Sequence, residues 1–218
     1  MTSGQAIPDA FKPRLESLPG IAAVSAAHAS GGLLMTLNVH HGELGTLLVE
    51  RATEASAAGL YEFYFEGLSA KAREYFPPYP LFSPPVGSAL ELAGRIRGWL
   101  VEDDWTVLTL SCRGQVVAMG MLKRFKTPRP TSGLAVRESC QQKGVGRLVQ
   151  TLIVEQARML GLKRVFATLA DDNVASRRLH LACGFTPTEN RVPHYGYRSG
   201  EKIIDRWDVE MIWEANTG

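Results

Sequence analysis

Gly144-Val145-Gly146 stands between a short apolar run, Leu134-Ala135-Val136, and a long stretch of helical periodicity, and no other feature narrows the possible folds as much. Behind the glycines, Leu148, Val149, Leu152, Ile153, Ala157 and Leu160 lie on one stripe of a 3.6-residue period, which predicts an amphipathic helix closed by Gly161. Without a Cβ, Gly144 and Gly146 allow positive φ, so the turn can aim its N–H groups at one point. These groups sit at a helix N-terminus. Unpaired donors and the positive end of the helix dipole meet there and favour an anion such as a pyrophosphate. The segment Gln141-Gln142-Lys143-Gly144-Val145-Gly146-Arg147 therefore reads as a phosphate cradle.

Spacing separates the nucleotide binders that share this order. A Walker-type loop needs Lys-Ser/Thr after its last glycine, and Arg147-Leu148 stands there. A dinucleotide fingerprint needs a third glycine at position 149, which is Val. The remaining pattern, Gln141-x-x-Gly144-x-Gly146, resembles the Q/R-x-x-G-x-G/A signature of the GNAT acyltransferase superfamily. A second segment strengthens the resemblance. Arg164 to Leu169 predicts a buried strand, and Asp171-Asp172-Asn173 supplies an N-cap for a helix from Val174 to Ala182 that Gly184 closes. The run Asn173-Val174-Ala175-Ser176-Arg177-Arg178-Leu179-His180-Leu181-Ala182-Cys183-Gly184-Phe185 is similar to the superfamily's N-x-x-A/S-x-x-L-Y-x-x-x-G-F element. Strand, helix, strand, helix is also the order a parallel strand pair requires.

The resemblance implies an α/β (α+β) GNAT fold, a mixed central sheet flanked by helices, over residues 45–218, preceded by an N-terminal extension over 1–44 with a possible extra strand. Phe11 to Leu18 predicts a short helix, and the rest of residues 1–30 gives no clean pattern. Leu33 to Val39 and Thr46 to Glu50 predict strands joined through His40-His41-Gly42. A helix follows Ala52, Ser69 caps a second one through Tyr75, and Ser88 to Glu91 is a capping box opening a third. Thr106 to Cys112 and Gln115 to Leu122 flank Arg113-Gly114 as a tight hairpin. Asp208, Glu210, Ile212 and Glu214 alternate with Trp207, Val209, Met211 and Trp213, a pattern expected of a half-buried last strand. A doubly wound fold would need more βαβ units than the front half supplies.

Composition excludes several function classes. A net charge of +2 with no basic run argues against a nucleic-acid or anionic-membrane surface. The three cysteines, Cys112, Cys140 and Cys183, have neither disulfide-framework nor metal-ligand spacing, so no metal is expected, and they fit a reducing, cytoplasmic compartment. Ile21 to Met35 is too short and polar to span a bilayer.

The chemistry implied by the resemblance is transfer of an acetyl group from acetyl-CoA to a primary amine by direct attack in a ternary complex. The cofactor-binding residues are then Leu134, Ala135, Val136, Gln141 through Arg147, Asn173 and Ser176. An ammonium with pKa about 10.4 must lose a proton, a main-chain N–H near Leu134 to Val136 must stabilise the oxyanion, and a thiolate of pKa about 8.5 must leave. Relatives often carry a tyrosine as thiolate donor where this chain has His180. With a reference pKa of about 6.5, His180 would keep a usable charged fraction, or it simply packs beside the pantetheine. Relatives also often place a glutamate on the cofactor strand, and Ser132 to Val136 has none. The base is then Glu138 just beyond it, unless Glu138 is a solvated loop residue and water relays from Asp103, Asp104 or Glu62. Cys140 lacks an assigned base and reads as structural. The aromatic stretch Leu60 to Phe82 and a loop carrying His194, Tyr195 and Tyr197 are expected to border the acceptor, a small-molecule amine first and a protein N-terminus or lysine second. A non-catalytic acyl-CoA-binding or regulatory module is the alternative, and a homodimer is compatible with either.

Overall fold

The structure, a computed structural model, describes residues 7–78, 81–102, 104–198 and 201–215. Asp103 and Tyr79 lie outside them. The chain runs α1 (Phe11–Glu16), β1 (Ile21–Ser30), β2 (Leu33–His41), β3 (Gly45–Arg51), α2 (Ala57–Phe65), α3 (Ala70–Tyr75), α4 (Ala89–Glu102), β4 (Trp105–Cys112), β5 (Gln115–Lys123), β6 (Thr131–Val136), α5 (Val145–Met159), β7 (Arg164–Leu169), α6 (Val174–Ala182), β8 (Phe185–Arg198) and β9 (Glu201–Glu214). The strands form one mixed sheet in the order β1-β2-β3-β4-β5-β6-β7-β9-β8.

Local sequence explains the boundaries that matter for the site. Ser69 Oγ accepts from the Ala72 N–H and starts α3, and Asn173 Oδ1 accepts from the Ser176 N–H at 3.1 Å and starts α6. Arg113 and Gly114 both take positive φ, so β4 and β5 are joined by a two-residue turn of the primed kind that matches strand twist. In the capping box of α4, the Glu91 N–H donates to Ser88 Oγ, but the Glu91 carboxylate reaches back one residue further, to the Gly87 N–H.

Both faces of the central strands are covered. Leu108, Leu110, Val117 and Ala118 pack with α1 and α5 in one core, whereas Val107, Val116, Met119 and Met121 pack with α2 and α4 in the other. Helix α5 lies so close to β5 that a Cβ on Gly120 would come within 2.5 Å of Val149 Cγ1. The same helix is tied to the front of the chain. Buried Gln156 accepts from the Leu34 N–H and donates to the Gly32 carbonyl, spanning the turn between β1 and β2.

Three expectations are corrected. His40 and His41 are the last residues of β2 and not its turn, because the His41 ring is buried and bonded. Residues 21–30 form a strand the sequence concealed, since β1 is rich in Ala and Ser and three register shifts break its period of two. The segment with His194, Tyr195 and Tyr197 belongs to strand β8 and is not a loop; it pairs along β9 with shifts at Pro187/Arg191 and His194/Tyr195.

Candidate active site

Strands β6 and β7 are parallel neighbours paired only at Thr131 and Phe166, so beyond that point they diverge. Along its other edge β6 pairs with β5 from Thr131 to Val136. The edge of Leu134 to Val136 that faces β7 is therefore left open. A cleft of about 450 Å³ fills the gap, walled by α3, β6, β7 and α6.

Most residues singled out in the sequence meet here. Leu134, Ala135 and Val136 form one wall, Gln141, Gln142 and Gly146 the end at the head of α5, and Asn173, Ser176 and His180 the opposite wall. Lys143, Gly144, Val145 and Arg147 do not line the cleft, and Val145 is buried in the core. Gly144 caps α5 with φ 81°, without a side-chain hydrogen bond. Among the described residues, no side chain or loop carbonyl accepts from the N–H groups of Gln142 to Arg147. These donors fit the pyrophosphate of an acyl-CoA. Gly146 departs from the expected positive φ, because it already lies in the helix. The second non-standard backbone position is Gln142, at φ 60°. Glycine at 146 serves packing instead: a Cβ would meet Leu179 Cδ2 of α6 at 3.3 Å.

The loop is propped from the N-terminal side. His41 Nδ1 accepts from the N–H groups of Glu43 and Leu44, which leaves Nε2 to donate to the Lys143 carbonyl at 2.7 Å. Lys143 Nζ pairs with Glu43 at 2.8 Å. At the cleft mouth, Lys71 Nζ reaches Asp172 Oδ2 at 3.3 Å, joining α3 to the loop before α6. The hydrogen bond from Tyr75, followed by Lys71, lowers the Asp172 pKa, and both groups remain charged near neutral pH. Nothing local in sequence marks this pair, since its members lie a hundred residues apart.

His180 is buried, with Nδ1 2.8 Å from the Ser176 carbonyl. A carbonyl only accepts, so Nδ1 carries the proton and Nε2 is bare, and Nε2 has no partner among the described residues. Burial pushes its pKa below the ordinary value, and the Ser176 carbonyl only partly opposes this. Desolvation thus reduces the charged fraction expected near pH 7. Glu138 lines the cleft from its exposed rim. Glu62 lines neither large cleft and is held by Arg137 at 2.6 Å. Asp104 is likewise absent from both walls. Cys140 is buried in the α5-side core, in keeping with a structural reading.

A second cleft of about 340 Å³ adjoins the first, sharing Tyr75, Phe76, Ser132, Gly133 and Thr168 as walls. Its far side carries Lys123, His194 and Asp208. Asp208 is buried although the alternation in β9 suggested an outward polar face. Burial works to raise its carboxyl, but hydrogen bonds from His194 and Arg206 and the arginine's charge outweigh it and hold the pKa below the usual range. Burial pushes the Lys123 ammonium down to about 8, with help from Arg124. No group of His, Cys, Asp and Glu able to hold a metal occurs among the described residues.

A search of curated proteins finds no match. Solved structures match in fold. The GNAT domain of PAT from S. lividans superposes with a TM-score of 0.62 at 21% identity, covering 83% of this chain and 97% of that domain. YncA from Salmonella typhimurium, described as a putative acetyltransferase with its cofactor acetyl-CoA, gives 0.58 at 20%, covering 79% and 95%. Ribosomal-protein-S5-alanine acetyltransferase from Vibrio fischeri gives 0.62 at 15%, covering 78% and 94%. The family model described as Acetyltransferase (GNAT) family matches residues 60–185, more than half of the sequence and all of the cleft's cofactor side, and the chain belongs to that family of acetyl-CoA-dependent acetyltransferases.

Proposed function

We propose that the protein transfers the acetyl group of acetyl-CoA to a primary amine of a small molecule, by direct attack while both substrates are bound. One observation carries the reading: two clefts meet at Ser132 and Gly133, one ending on the unpaired N–H groups of the glycine turn and the other on Lys123, His194 and the buried Asp208. A pyrophosphate at Gln142 to Arg147 would lay the thioester along the open edge of β6, with its carbonyl near the Leu134 to Val136 main chain, and an amine would arrive from the second cleft. The modest volume of that cleft supports a small acceptor. Solved relatives are described as acting on a ribosomal-protein alanine in one case and, in a chimera, on spermidine, so both acceptor classes occur on this fold. No helix among the described residues is long and apolar enough to cross a membrane, and the three free cysteines agree with a cytoplasmic location.

The proton balance follows from the reaction. A neutral amine attacks the thioester carbon, the C–N bond forms, the oxyanion collapses and the C–S bond breaks. The CoA thiolate, with pKa about 8.5, is a tolerable leaving group without a charged donor, consistent with a neutral His180. The experiment is a titration with acetyl-CoA followed by thermal unfolding, together with release of CoA thiol across a panel of primary amines. Binding with amine-dependent thiol release is expected. Binding with no release for any amine or peptide would instead indicate a non-catalytic acyl-CoA module, and release only with peptides would move the acceptor to a protein N-terminus or lysine.

A further inference from the structure

We infer that His194, oriented by Asp208, is the base that removes the proton from the acceptor ammonium; this rests on the proposed amine acetylation. His194 Nδ1 lies 3.1 Å from Asp208 Oδ2, and Asp208 Oδ1 accepts from Arg206 Nε at 2.8 Å. A carboxylate has no proton to give, so the hydrogen of this 3.1 Å contact is on His194 Nδ1; Arg206 Nη2 lies farther from the same atom, at 3.4 Å, and does not donate to a nitrogen that already carries a hydrogen, which leaves the Nε2 lone pair free. His194 is a wall of the second cleft, which opens on Gly133 of the cofactor strand. Asp208 is buried at 4% exposure, and its backbone pairs with Val192 of β8 next to Val209, where the pairing of β9 with β7 begins. The pair occupies the chemical role left open by the absence of a carboxylate on β6.

Asp208 and Arg206 of β9 contact this ring, Tyr75 of α3 and Lys123 of β5 line the same cleft, and Glu74 of α3 pairs with Arg206 behind it. Arg206 also donates to the Glu74 carbonyl at 3.3 Å, which ties the pair to the cleft roof. In the step, Nε2 takes one proton from R–NH3+, and the freed lone pair attacks the thioester carbon. The second nitrogen proton leaves as the amide forms and neutralises the departing thiolate, directly or through solvent. The imidazolium, paired with Asp208, then returns its proton to solvent, so one proton is released per acetyl transferred. His194 would be a catalytic residue and Asp208 a positioning residue.

His194→Asn tests this, since its amide can still donate to Asp208 while the base is gone. With the best amine of the panel, kcat is expected to fall about 10²-fold to 10⁴-fold at pH 7, with acetyl-CoA affinity unchanged. The deficit should shrink as pH rises toward the ammonium pKa of about 10, where the amine no longer needs a base. A deficit that stays constant with pH, or no deficit, would overturn the assignment and leave the pair a structural clamp. If the parent turns over no amine, the proposed reaction fails separately, and nitrogen NMR of the ring in the parent protein still tests the orientation. Neutral His194 protonated at Nδ1 supports it, and protonation at Nε2 overturns it.

Discussion

At the scale of single residues, the glycine turn and His180 carry opposite lessons. Gly144 sits at φ 81° with the Pro19 carbonyl 3.2 Å from where a Cβ would be. A Gly144→Val chain would pay the left-handed strain of roughly 1–2 kcal/mol and displace the loop whose N–H groups are proposed to hold the pyrophosphate. We expect it to fold but to lose the thermal stabilisation that acetyl-CoA gives the parent; an unchanged shift would place the anion elsewhere. His180 is expected to be catalytically mild. Because it is neutral and its only ring proton is spent on Ser176, His180→Phe should lower kcat less than about 10-fold, and a loss of 10²-fold or more would restore it as general acid. Its pKa also makes a stability prediction. The folded value lies below the unfolded value of about 6.5, so the unfolded chain binds more protons as pH falls past that point. Stability is then full above about pH 6.5 and declines as the pH drops toward the folded value, and His180→Phe should flatten this limb in urea unfolding measured from pH 7.5 downward. An identical acid limb in both proteins would assign the decline to other groups.

Among the elements, α5 matters most, because it presents the anion site at its head and anchors the front of the chain at its tail. Gln156 is 1% exposed and meets both the Leu34 N–H and the Gly32 carbonyl. Gln156→Leu would strand that donor and that acceptor in the core at roughly 1–3 kcal/mol each, so a loss of about 2–6 kcal/mol is expected in denaturant unfolding. A change under about 1 kcal/mol would show that the turn of β1 and β2 finds other partners. This helix was readable because periodicity, an opening glycine and a closing glycine agree, and so were β7 and α6, whose observed ends coincide with the expected ones. β8 was not. Pro187, Pro193 and Gly196 disguise it as a loop, and only pairing along β9 holds it extended.

For the whole molecule, Phe11 to His41 pack into the same core as the rest of the described residues. Phe11, Leu15, Leu34 and Leu37 are fully buried in the core that contains Leu148 and Leu152 of α5, and His41 supports the Lys143 carbonyl. A chain beginning at residue 45 would expose that core and turn β3 into a bare edge strand, which invites association through its unpaired backbone. We expect it to aggregate or to unfold without a cooperative transition; a soluble, cooperatively melting product that binds acetyl-CoA with the parent's affinity would show the extension to be dispensable.

The sequence by itself determined the family and the order of strands and helices from β2 to α6. These depend on periodicity, caps and glycines acting within a few residues, and local sterics reads directly from local sequence. Only the tertiary structure decided which charges are buried. Asp208 and His194 stand fourteen residues apart on neighbouring strands, and their meeting depends on a register with shifts on both sides. The neutrality of His180 likewise comes from the walls packed around it, since desolvation is a property of the surroundings and not of the residue.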